Sequence, residues 1–162
     1  MEIFSGKINA ENVSKTLSEV NRIGEKTNSV IVLFDAEKTA GAEHIRSAGT
    51  HAKRAFDEKR NIARSLAMEI LVYASGQRQC SLATRFGLHV GENSVYVLIL
   101  DGDEASAKAD ILKFVTESSV NFPSAETLKA EFQITDEELA VIGEDRIVEL
   151  VLERVALVDV WK

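Results

Sequence analysis

The chain has 162 residues, of which 45% are hydrophobic and 28% charged, with one Pro, nine Gly, one Cys and a net charge of −7. That length and composition suit a single domain, residues 1–162, with its own core, and exclude collagen-like, low-complexity and disordered classes. A lone Cys80 can form neither an internal disulfide nor a cysteine-based zinc site, which fits a reducing cytoplasm. The start, MEIFSGKINA, shows no signal peptide, and the longest apolar runs, 30–34 and 95–100, are far short of the roughly 20 residues that span a membrane. The expectation is a cytoplasmic protein with no membrane partner.

The charge is unevenly spread. Residues 44–89 hold eight basic and three acidic side chains, a local +5, against −12 for the rest. By itself such an island reads as solvated helix faces.

In chain order, residues 2–8 read as a short strand anchored by Ile3 and Ile8, with Gly6 a weak point. Asn9 is a plausible N-cap for a helix to about Arg22, with Val13, Leu17 and Val20 on one stripe and Gly24 as its end. The β-branched run 29–35 predicts a strand buried on both faces. Residues 42–57 form a polar helix with Ile45, Ala48, Ala52, Ala55 and Phe56 inward. A second helix opens at Asn61 or Ile62 and carries Leu66, Ile70 and Tyr73 to a stop at Gly76. Helix resumes over 77–86 with Leu82 and Phe86, and Gly87 stops it. Residues 94–101 are a second buried strand and 103–117 an amphipathic helix. Pro123 and Ser124 start a short helix, Thr135 and Glu138 form a capping box, and Asp145 opens a last amphipathic segment with Ile147, Val151, Val155 and Val158. The tail 156–162 could instead be a strand alternating Leu157, Asp159 and Trp161. The fold class is α/β (mixed α+β): about four strands in a small mixed sheet covered by helices, with a helix-rich middle.

Motifs for chemistry fail on spacing. Gly24-Glu25-Lys26-Thr27 imitates the end of a phosphate loop, but Glu19 stands where its first Gly is needed, and the loop follows a helix instead of preceding one. Around Asp101 and Asp103, Ser106 and Leu112 fall where an EF-hand requires Gly and Glu. His44, His51 and His89 lack metal-ligand companions, and Cys80 reads as a small helix-facing hydrophobe. No metal, no cofactor and no enzyme are expected.

The segment MEILVYASGQRQ (68–79) is different, because a backbone break at Gly76 adjoins three long hydrogen-bonding side chains, Gln77, Arg78 and Gln79. A bend there would turn the next helix's free N–H groups toward a phosphate or a base edge; the plainer reading is a structural helix–helix corner. With NIARSLA before it and VLERVALVDV at 151–160, the segment resembles the small accessory subunit of the KEOPS complex, the PRPK-binding protein family, in a compact archaeal-type form.

The resemblance implies a non-catalytic subunit that docks on and helps activate the KEOPS kinase-like ATPase subunit. It also implies recruitment of tRNA through its 3′ CCA end for threonylcarbamoyladenosine modification. Ser75, Gly76, Gln77, Arg78 and Gln79 match the family motif directly. Arg64 and Ser65 fall where members often show a small polar pair, so Arg64 is a departure. Lys53, Arg54, Lys59 and Arg60 match only as basic residues. A single-stranded end calls for phosphate contacts, stacking and base-edge hydrogen bonds, which these nine residues other than Ser75 and Gly76 could supply. Tyr73 could stack on a base, but its helical spacing with Leu66 and Ile70 favours the core. Cys80, Ala83 and Thr84, opposite Leu82 and Phe86, are the candidate docking surface for the kinase-like partner. The alternative is a purely structural interaction module without RNA binding.

Overall fold

The computed structural model describes residues 1–160. In chain order the elements are β1 (Glu2–Ala10), α1 (Val13–Thr27), β2 (Val30–Asp35), α2 (Gly41–Asp57), α3 (Leu66–Ser75), α4 (Cys80–Ala83), β3 (Gly91–Leu100), α5 (Glu104–Ile111), β4 (Thr116–Glu117), α6 (Ala125–Phe132), α7 (Asp136–Ile142) and α8 (Ile147–Val160). The four strands lie in the order β2-β3-β1-β4. The fold class is the expected one, but the sheet is antiparallel throughout rather than mixed. β1 and β3 pair from Glu2↔Ile99 to Ala10↔Gly91, and β2 joins β3 from Val30↔Leu100 to Asp35↔Val95.

The β-branched strands are buried on both faces because helices cover both. Val32, Phe34, Leu98 and Leu100 pack against Ala48, Ala52 and Ala55 of α2, Ile70 and Tyr73 of α3, and Val155 and Val158 of α8. On the opposite face Ile31, Leu33, Val95, Val97 and Ile99 meet Val20 and Ile23 of α1 and Ala107 and Ile111 of α5. Alternation along a strand sends neighbouring side chains into these two separate cores. A third cluster, with Leu128, Phe132, Leu139 and Val151, binds α6 and α7 to α8.

Several element ends differ from the sequence reading, each for an identifiable reason. β1 runs on to Ala10, so Asn12, not Asn9, caps α1, its side chain accepting from the Lys15 N–H at 3.0 Å. α1 continues through Gly24 to Thr27, since Asn28 adopts the left-handed conformation (φ 56°) that ends it, and asparagine tolerates that region. α3 begins at Leu66 because the Glu69 carboxylate takes the N–H groups of Ile62 and Ala63, turning residues 60–64 into a loop. Segment 77–86 is one α turn, α4, followed by a 3-10 turn, Thr84–Phe86. The helix expected over 103–117 stops at Ile111, and Thr116 and Glu117 become β4 on the outer edge of β1. Gly6 permits that pairing, since a Cβ there would strike the Thr116 carbonyl oxygen. The tail is helix through Val160, because Val155 and Val158 complete the apolar stripe of α8; Trp161 lies outside the described residues.

Candidate functional site

The singled-out motif folds into a corner. α3 ends at Gly76, whose left-handed conformation (φ 67°) reverses the chain while its N–H donates to the Tyr73 carbonyl at 3.1 Å. Glycine is favoured by this positive φ, and a Cβ would also sit a tight 3.1 Å from the Arg154 Cβ. Ser75 fixes the exit: its Oγ donates to the Val72 carbonyl (2.7 Å) and accepts from the Gln77 N–H (3.1 Å). Beyond it Gln77 is half-buried and Arg78 and Gln79 are exposed, and among the described residues their side chains make no hydrogen bond or ion pair. Gln77 and Arg78, but not Gln79, line a groove of about 440 Å³ shared with Gln133 and Arg154. The next helix is a single turn, so it supplies little of the N-terminal dipole that a longer helix beginning after Gly76 would offer.

Arg154 builds the other wall. Its guanidinium makes two 2.8 Å bonds to Glu138 and reaches the carbonyls of Phe132 (3.2 Å) and Gln133 (3.1 Å). The bonds from Arg154 hold the Glu138 carboxyl at about 2, against burial that pushes it up. Five residues along α8, roughly 7.5 Å at 1.5 Å per residue, Asp159 gathers a second cluster. It accepts from the Tyr73 hydroxyl (2.5 Å) and the Arg54 guanidinium (2.9 Å), and lies 2.8 Å from His51 Nδ1 and 3.5 Å from Arg60. Burial pushes the Asp159 carboxyl up, but Tyr73, His51 and Arg54 outweigh it and hold it at about 2. Tyr73 is completely buried, as the helical spacing implied, and stacks on His51 at 5.9 Å between centroids.

The basic island divides accordingly. Lys53 pairs with Asp57, Arg54 with Asp159, Arg60 with Glu58 and Asp159, and Arg85 with Glu131. Arg46, Lys59, Arg64 and Arg78 have no carboxylate within 4.0 Å among the described residues. Arg54, Arg60 and the Gly76 corner are brought together along α8. Arg64 and Ser65 are not: they precede α3, about 15 Å of helix from Gly76. Ser65 is engaged as the N-cap of α3, accepting from the Met68 N–H at 3.2 Å.

Of the docking candidates, Cys80 is half-buried and Thr84 exposed, but Ala83 is fully buried and presents no surface. Arg154, Asp159 and Glu69 carry no role in the sequence reading, because nothing in local spacing shows which distant helix a charged side chain will meet. No helix of the described residues is long and apolar enough to cross a membrane, and no group of three or more His, Cys, Asp and Glu converges among them.

Residues 8–159 match the profile of the family described as "Kinase binding protein CGI-121". The chain is also 30% identical to the "Regulatory protein Cgi121" of Methanocaldococcus jannaschii over 132 residues, 80% of this chain and 83% of that protein. The matched span takes in β2, β3, β4 and the end of β1 together with the Gly76 corner and the α8 cluster, and the chain belongs to the CGI-121 family of kinase-binding proteins.

Proposed function

We propose that the chain is a non-catalytic KEOPS subunit that docks on the kinase-like ATPase subunit, helps activate it, and recruits tRNA by the 3′ CCA end for threonylcarbamoyladenosine modification. The reading rests most on Arg78: an exposed cation without a carboxylate partner among the described residues, flanked by Gln77 and Gln79 at the rim of a groove. A guanidinium so placed can pair with a phosphate or stack on a base, while the two amides offer donors and acceptors to base edges. Arg54 and Arg60 lie nearby but are committed to Asp159, so they add field more than direct contact. Lys59 and Arg64 would meet a more distant stretch of backbone. With a net charge of −7, the isolated chain should bind RNA weakly and gain affinity inside the assembly.

The test is a salt-dependent titration of intact tRNA and tRNA lacking CCA against wild type and Arg78→Glu. Loss of binding on removing either the CCA end or Arg78, with unchanged circular dichroism, supports tRNA capture at this corner. Equal or absent binding of both RNAs leaves a kinase-docking module, the structural alternative.

A further inference from the structure

β2 is the outermost strand on its side of the sheet. Its phase follows from one bond: the Ala36 N–H donates to the Ser94 carbonyl at 2.8 Å, directly after the Asp35↔Val95 pair. In an antiparallel ladder hydrogen-bonded pairs recur every second residue, so Phe34, Val32 and Val30 point their N–H and C=O groups to β3. Ile31 and Leu33, whose side chains are buried against α1 (6% and 3% exposed overall), therefore point theirs away from β3, where none finds a partner among the described residues. The other edge is handled differently. β4 covers part of β1, and Lys7 and Asn9 there are exposed. β2 has no Pro, bulge or outward charge of the kind that usually blunts an edge.

This edge lies at the bottom of a groove. α1 packs on one face of the sheet and α3 on the other, so a cavity that touches both helices and β2 must run along the strand's free side. Two such cavities, of about 540 and 410 Å³, share Val20, Asn21, Ile31, Ser65 and Ala67 and together follow β2 from Ser29 to Leu33. The strand end near Ser29 is bordered by Glu25 and Asp101, whose only ion pair among the described residues is Lys53 at 4.0 Å. The other end is apolar, with Leu17, Leu71 and Leu88, and with Thr84 at its limit.

We infer that this groove is a strand-docking site for an extended segment of a partner polypeptide, apolar at alternate positions and basic at the end lying by Glu25 and Asp101. Unpaired main-chain donors and acceptors two residues apart are satisfied in register by another extended main chain, and alternate side chains then face the groove walls. A second copy of this chain does not fit, because two edges each sunk between helices cannot approach to the roughly 4.8 Å of paired strands. The acidic mouth sets the sign of the terminal side chain. The inference is independent of tRNA recruitment and adds an interface to the Gly76 corner.

The experiment selects a phage-displayed library of random nine-residue peptides on the full chain, with counter-selection on Ala67→Arg. Ala67 lines both cavities and is half-buried against the edge of the α2–α3 core, so the longer side chain fills the groove, and circular dichroism tests that the core is kept. Enriched peptides should alternate apolar residues and carry Lys or Arg at one end. Their affinity should fall at least tenfold on Ala67→Arg and severalfold on Glu25→Lys, with both variants showing wild-type circular dichroism. Amide exchange of Ile31 and Leu33, read by NMR, should slow at least tenfold in the complex. N-methylation of alternate peptide residues should abolish binding. No enrichment, equal binding to Ala67→Arg, or unchanged exchange at Ile31 and Leu33 would each overturn the inference.

Discussion

Gly76 concentrates two demands in one residue: a left-handed backbone, and a neighbour, the Arg154 Cβ, that would crowd a methyl group at 3.1 Å. Gly76→Ala should cost about 1–2 kcal/mol from the backbone term alone, read as a lower denaturant midpoint at unchanged slope. His44 shows how a buried polar group is made tolerable. Its Nδ1 accepts from the Ala40 N–H (3.0 Å), which leaves Nε2–H to donate to the Ala74 carbonyl (2.8 Å), tying the start of α2 to the end of α3. Burial lowers its pKa from 6.5 to about 4. The folded state thus binds fewer protons than the unfolded one between these values. Its contribution is complete above pH 6.5 and falls away as pH drops toward 4, by up to about 3 kcal/mol. Denaturation across that window should show the slope in wild type and lose it in His44→Gln.

At the scale of elements, the loop before α3 depends on a carboxylate from within that helix. Glu69 is completely buried and receives the Ile62 and Ala63 N–H groups at 2.7 to 3.1 Å. Glu69→Ala would leave those donors without their acceptor, at a cost of about 1–3 kcal/mol each if they stay buried. The expected outcome is fast amide exchange at Ile62 and Ala63 and disorder at Lys59 and Arg64, with β2 and β3 exchange less affected. Ser65, a candidate for RNA contact, is bound to the helix as its cap, so Ser65→Ala should lower stability by about 1 kcal/mol whatever it does to RNA.

At the scale of the whole molecule, acidity and the basic island coexist because ion pairs absorb half the island. Four of its eight cations face carboxylates and four do not. If tRNA binds through the unpaired four, the plot of log affinity against log salt should have a slope no steeper than about −3 to −4. A much steeper slope would mean that Arg54 and Arg60 leave Asp159 to meet phosphate.

Strand cores, helix stripes, the Thr135 capping box and the Gly76 break were legible in the sequence, because each is set by period or by backbone chemistry within a few residues. Tyr73 was readable as core from its spacing with Leu66 and Ile70, although its bond to Asp159 was not. What only the tertiary structure decided lies in contacts distant along the chain. Pairing with β1 made 116–117 a strand, capture by Glu69 moved the start of α3, and burial removed Ala83 from the surface. The same holds for the pairing of Arg154 with Glu138 and of Asp159 with Arg54. Local pattern fixes which face of an element is apolar, but ion-pair partners and open edges depend on how the layers are stacked.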